Sequence, residues 1–360
     1  MARIDALFKM MKEEGASDLH LSTGNPPIFR QRGEMERLNF KPLGHEELKA
    51  ILFEILSEKQ RALFEEKKDL DFAYSVEGLA RFRGNILMQH RGIAAVFRMI
   101  PSKILSAEQL GLPEGVLKMT RFKKGLVVVT GPTGSGKSTT LAAMIDLINS
   151  TRKDHILTLE DPLEFIHENK MSLLNQRQIG DHTESFAAAL KAALREDPDI
   201  IMVGEMRDLT TIGLAMSAAE TGHLVFGTLH TNTAAKTIDR IIDVFPTDQQ
   251  EQVRAMLSES LKGVVCQQLL KTADGKGRVA ALEIMVGTPA IANLIREAKT
   301  FQIPSIIQTA RKEGMQLMDS HLMELLKDKR INPEEAYRCG IDKKQFEPFL
   351  PKGGDVPTLD

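Results

Sequence analysis

Hydrophobic positions change their period twice along the chain. Over residues 4–12, Ile4, Leu7, Phe8 and Met11 recur at helical spacing and predict a short amphipathic helix. The turn-rich STGNPP follows, and alternation around Ile28, Arg30 and Arg32 predicts a strand. Leu48, Ile51, Leu52, Ile55 and Leu56 form one stripe, which predicts a helix over 46–65. DFAYSV, ARFRGNILMQ and IAAVFRMI then read as short strands. Helices mixed with short strands make residues 1–100 a small α+β domain. Residues 101–118 carry two Pro and two Gly in a weak helical pattern and are the expected linker.

Beyond residue 124 the pattern becomes an alternation of apolar β-rich runs and helical segments. GLVVVTG, HILTLED, DIIMVGE and HLVFGTLH are the strand candidates. KSTTLAAMIDLINS, AALKAALRED and TTIGLAMSAAET lie between them. Near-continuous apolar strands with intervening helices imply a parallel sheet covered on both faces. The expected division is a core over 119–287, a helical subdomain over 288–350 and a frayed Pro/Gly-rich tail over 351–360.

Composition narrows the class. The 360 residues carry a net charge of -2, spread evenly, which disfavours a general nucleic-acid binder. There is no Trp and only two Tyr, so no base-stacking platform is evident. Two cysteines far apart exclude a disulfide framework and a four-cysteine zinc site, and fit a reducing cytoplasmic setting. No apolar run approaches the ~18–20 residues of a membrane span, so no membrane insertion is expected. The first residues, with their acidic groups and no cleavage site, do not read as a signal peptide.

The most specific chemistry lies at residues 131–138, Gly-Pro-Thr-Gly-Ser-Gly-Lys-Ser. These fit G-x-x-x-x-G-K-[ST], with a strand before and an apolar-faced helix after. Glycines let the backbone curl so that several N–H groups converge on one phosphate, and the helix adds its positive end. Lys137 is expected to reach the β- and γ-phosphates and Ser138 to hold Mg²⁺.

Hydrolysis also needs a carboxylate to orient water. One acidic cluster, Glu160, Asp161 and Glu164, follows ILTL; another, Glu205 with Asp208, follows IIMV. Both stand where the carboxyl ends of parallel strands should lie, the usual ligand edge of such sheets. Glu205 and Glu164 are the candidate catalytic groups, whereas Asp208 fits a helix N-cap better. His223 precedes and His230 follows the strand LVFGTL, and His230 at the carboxyl end is placed to sense the γ-phosphate. Arg195, Arg207, Arg81 and Arg83 are candidates for charge neutralisation, the last two sharing one face of a strand.

GPTGSGKS, TLEDPLEF, IIMVGEMRD and TGHLVFGTLHT, in this order and spacing, resemble the secretion ATPase superfamily of type II secretion, type IV secretion and type IV pili. The N-terminal GASDLHLSTGNPPIFRQRGEM resembles that superfamily's small PAS-like domain, and ARFRGN its arginine-bearing strand. AIANLIRE, at 290–297, is similar to the AIRNLIRE segment of its pilus retraction branch, with Ala292 in place of the arginine.

The resemblance implies a RecA-like P-loop ATPase core with a parallel-rich sheet, preceded by the PAS-like α+β domain. It implies ATP contact by Thr133, Gly134, Ser135, Gly136, Lys137, Ser138 and Thr139. Arg81, Arg83, Arg195 and His223 join them. Catalytic roles fall to Glu205, Glu164, His230 and Arg207, and Mg²⁺ to Ser138 with Glu164 acting through water. It further implies a homo-hexameric motor for pilus retraction at the cytoplasmic face of the inner membrane, partnered by the pilus platform protein. A pilus extension or type II secretion ATPase is the alternative. Those usually carry an extra N-terminal domain and a four-cysteine metal insert; this sequence starts at the small domain and has two cysteines, so the retraction branch is the expectation.

Overall fold

The computed structural model describes residues 2–31, 33–100 and 103–351. Arg32, residues 101–102 and residues 352–360, where parts of the expected strand, linker and tail fall, lie outside them. The chain divides into two compact units: Met1–Lys103 with Pro162–Ile166, and Ile104–Asp161 with His167–Asp360.

In the first unit α1 (Asp5–Glu13) is followed by β1 (Asp18–Ser22), β2 (Ile28–Gln31) and β3 (Glu34–Arg37). Then come α2 (His45–Phe53), α3 (Glu58–Lys67), β4 (Asp69–Val76), β5 (Ala80–Gln89) and β6 (Gly92–Ile100). The strands pair antiparallel in the order β3-β2-β1-β6-β5-β4. Phe8 of α1 stacks on Phe82 at 4.0 Å and meets Phe97 edge-on. Gly84 has no room for a side chain, because a Cβ there would stand 2.8 Å from the rings of Phe72 and Phe97. The single helix expected over 46–65 is two. Ser57 accepts from the Gln60 N–H while the Gln60 side chain accepts from the Ser57 N–H, and this reciprocal cap starts α3 afresh.

The second unit opens with α4 (Glu114–Met119), whose Val116 and Met119 are fully buried in the core of that unit. β7 (Gly125–Thr130), α5 (Lys137–Thr151), β8 (His155–Glu160), β9 (Leu173–Gln178) and α6 (Phe186–Ala193) follow. β10 (Ile200–Val203), α7 (Leu209–Thr221), β11 (Leu224–Leu229), α8 (Ala234–Asp243) and α9 (Gln250–Ser260) come next. β12 (Leu261–Lys271) and β13 (Arg278–Val286) form a hairpin. α10 (Pro289–Arg296), α11 (Ile303–Thr309), α12 (Met318–Lys327) and α13 (Pro333–Cys339) complete the helical end.

The strand order is β13-β12-β7-β11-β10-β8-β9, with every pairing parallel except the β12–β13 hairpin. Strands β7, β10 and β11 are buried at every position, as a sheet covered on both faces requires. Because β7, β8, β10 and β11 run the same way, the residues that follow them emerge at one edge. Those residues are the phosphate loop, Asp161, Glu205 and His230.

Candidate active site

The phosphate loop owes its curl to glycines. After β7 the backbone turns at Gly131 with φ of 145°, Gly134 with φ of 78° and Gly136 with φ of 88°, values that side-chain-bearing residues avoid. Gly136 caps α5, so the first turn of that helix points its N–H groups into the loop. Lys137 lies over the loop, its ammonium donating to the carbonyls of Gly131 (2.8 Å) and Pro132 (3.1 Å). Thr133, Gly134 and Ser138 are exposed, Thr139 is half-buried and Ser135 is buried. Beneath the loop, Gln267 of β12 donates to the Ser135 carbonyl at 2.7 Å and accepts from the Thr140 hydroxyl at 2.8 Å. No motif marks Gln267, and the sequence reading passed over it.

Two strands along, Glu205 leaves the end of β10. Its position is set by backbone bonds on both sides, Gly204 N–H to Leu159 and Met206 N–H to Thr228. The Thr228 hydroxyl also donates to the Gly204 carbonyl. One carboxylate oxygen, Oε1, accepts from His230 Nε2 at 2.8 Å and from Arg207 Nε at 2.5 Å. Burial works to raise the Glu205 pKa, but the hydrogen bond and charge of Arg207, then those of His230, outweigh it. The carboxyl therefore lies below its ordinary range and is ionised at neutral pH. Asp208 caps α7, accepting from the Thr211 N–H (2.9 Å) and hydroxyl (2.7 Å), as its place before that helix implied.

A run of hydroxyls joins these parts. Thr130, the last residue of β7, donates to the Thr231 carbonyl and accepts from the Thr231 N–H. The Thr231 hydroxyl meets that of Thr237 on α8 at 2.7 Å. Glu283 of β13 accepts from Ala234 N–H at 2.7 Å and so pins the start of α8. Its pKa is raised because burial prevails over the hydrogen bonds from Ala234 and Met318. The loop carrying His230 is thus fastened at both ends to strands of the same sheet.

The other expected residues are distributed differently. His223 precedes β11 and its ring contacts the Ala218 carbonyl at 3.0 Å. Seven residues of extended chain, about 20 Å, separate it from His230. It therefore stands at the amino end of the sheet, away from the phosphate loop of its own chain. Arg195 is exposed in the turn after α6. The neighbouring Asp197 carbonyl meets the ring of His155, the first residue of β8, at 3.1 Å, so Arg195 too lies at the amino end of the sheet. Glu164 is half-buried on Pro162–Ile166, the stretch that clusters with the first unit. Arg81 and Arg83 share one face of β5, with Phe82 buried on the other; Arg83 stands 4.0 Å from Asp71.

A glycine-curled phosphate loop, with a hydrogen-bonded Glu–His–Arg group two strands away, delimits the kind of protein this is. Residues 2–276 match the type II/IV secretion system protein family. The chain belongs to that family. Among secretion system proteins it is 56% identical to the type IV pilus retractation ATPase PilT of Pseudomonas aeruginosa over 333 residues, 92% of this chain and 96% of that one. It is 54% identical to a twitching motility protein of Neisseria gonorrhoeae over 312 residues, 87% of this chain and 83% of that one. The crystal structure of the pilus retraction motor PilT with bound ADP superposes with a TM-score of 0.88 at 48% identity, covering 97% of this chain and 99% of that one. No helix among the described residues is long and apolar enough to cross a membrane.

Proposed function

We propose that this chain is a motor ATPase that hydrolyses ATP to power type IV pilus retraction. It works as a homo-hexamer on the inner-membrane pilus platform protein, at the cytoplasmic face. The hydrogen-bonded Glu205–His230–Arg207 group at the phosphate-loop edge of the sheet carries this reading. The near full-length likeness to pilus retraction proteins supplies the direction of the work.

In this reading the loop amides and the N-terminus of α5 receive the phosphates. The Lys137 ammonium exchanges the Gly131 and Pro132 carbonyls for phosphate oxygens. The exposed Ser138 hydroxyl in the first turn is a hard oxygen donor of the kind Mg²⁺ takes. Mg²⁺ bound there would neutralise phosphate charge, and Glu164 would act towards it through water. The ionised Glu205 orients the attacking water and takes its proton, while His230 and Arg207 hold the carboxylate in one orientation. Arg81, Arg83, Arg195 and His223 remain candidates for contacts made between domains or subunits. The exposure of Arg83 and Arg195 supports that role.

The test is turnover with paired variants. Lys137→Ala should lose both tight nucleotide binding and hydrolysis. Glu205→Gln should keep ATP binding and lose about 10²–10⁴-fold in kcat, since an amide takes no proton from water. Near wild-type turnover in Glu205→Gln would transfer the catalytic role to Glu164.

A further inference from the structure

Gln267 touches the phosphate loop at two of its three turning glycines, Gly131 and Gly136. It is 3% exposed on β12, beside Cys266, which pairs with Thr130 at the end of β7. Its own carbonyl oxygen stands 2.1 Å from where a Cβ at Gly131 would be. Its side-chain nitrogen stands 2.8 Å from where a Cβ at Gly136 would be. Gly131 and Gly136 are thus glycine for room as well as for backbone angle.

The side chain has a fixed orientation. Nε2 donates to the Ser135 carbonyl at 2.7 Å, and Oε1 accepts from the Thr140 hydroxyl at 2.8 Å. Flipping the amide would set two oxygens against each other at Ser135. The Ser135 carbonyl is therefore held towards β12. In a trans peptide the carbonyl and the following N–H point opposite ways. Fixing the Ser135 carbonyl outwards turns the Gly136 N–H inwards, to the concave side of the loop where a phosphate is received.

We infer that Gln267 is a positioning residue for nucleotide binding: its amide holds the Ser135–Gly136 peptide so that the Gly136 N–H faces the phosphate. This rests on the nucleotide-binding reading of the loop. Gln267 touches no phosphate itself; it acts through the backbone it holds.

Gln267→Leu keeps the volume and removes both hydrogen bonds. Binding of Mg-ADP and Mg-ATP is measured by calorimetry on the full chain, with the melting temperature taken with and without ADP. We expect Kd for both nucleotides to rise ten-fold or more and KM for ATP to rise with it. At saturating ATP, kcat should fall less than three-fold. The upward shift in melting temperature on adding ADP should shrink. A purely structural residue would lower the melting temperature and leave the ADP-induced shift intact, and that result overturns the inference. So does a Kd within two-fold of wild type.

Gln267→Glu is the second variant, because it still accepts from Thr140 but places a carboxylate against the Ser135 carbonyl. It should bind ADP at least as poorly as Gln267→Leu, and wild-type affinity there overturns the inference even if the leucine variant does not fold. Lys137→Ala run in parallel separates the two levels. If it too binds ADP normally, the nucleotide reading fails; if it alone loses ADP, only the role of Gln267 fails.

Discussion

Truncating Ile295 to Ala should destabilise the second unit far more than truncating its neighbour Leu294. α10 begins on a Thr288 cap with Pro289 in its first turn, and its last turn is tied by Arg296 to the Ser258 hydroxyl at 3.3 Å. Ile291 and Ile295 are each 1% exposed and belong to the core of that unit, whereas Leu294 is only half-buried at its edge. Removing the buried isoleucine side chain leaves a cavity and should cost about 3 kcal/mol within the ~2–5 range for such changes. At roughly 2–4 °C per kcal/mol for a unit of this size, the melting temperature should fall by about 6–12 °C. Leu294→Ala, already half in water, should cost about 1 kcal/mol and about 2–4 °C. Both variants are melted without nucleotide, then assayed for ATP turnover at room temperature and for surface motility. An Ile295→Ala melting point within about 2 °C of wild type would refute the burial argument. A loss in Leu294→Ala equal to that of Ile295→Ala would also refute it. The likeness of AIANLIRE to the retraction segment adds a second reading, in which Leu294 couples ring motion to the pilus. Intact stability and turnover with lost motility in Leu294→Ala supports coupling; parallel loss of all three makes the segment ordinary core.

Two further outcomes are expected. Burial holds His167 down to about 4 from 6.5, against a weaker opposing pull from Asp146, so the unfolded chain takes up the proton first and stability falls as pH drops from 6.5 towards 4. Between about pH 7 and pH 5 wild type should lose about 2 kcal/mol from this group, read as a lower urea midpoint. His167→Gln should lose correspondingly less, and equal losses would sink the assignment. In mixed assemblies, Lys137→Ala subunits should depress ATPase activity more than in proportion to their fraction, whereas a strictly linear decline would mean independent sites.

What the sequence made legible was whatever is local in the chain. The strand–loop–helix around Lys137, the carboxyl-end positions of Glu205 and His230, and the Asp208 cap all follow from a few adjacent residues. The break between α2 and α3 was also readable, in Ser57 and Gln60, but the continuing apolar stripe masked it. The place of His223 before a parallel strand likewise assigns it to the opposite end of the sheet from His230. Gln267 is a different matter. It lies 132 residues beyond Ser135, the loop residue it braces, and only the pairing of β12 with β7 brings them together. The one local sign is a Gln buried within the apolar run LKGVVCQQLLK, where a polar group must find partners. The grouping of Pro162–Ile166 with the first unit has no signature in composition at all.

In the proposed function, hydrolysis at this site drives pilus retraction. The most direct measurement is retraction of single pili in a strain deleted for the gene and complemented with either wild type or Glu205→Gln. Wild type should restore retraction and surface motility. Glu205→Gln, present at the same level and still binding ATP, should leave pili extended and cells non-motile. Restored retraction with Glu205→Gln, or none with wild type, would contradict the account.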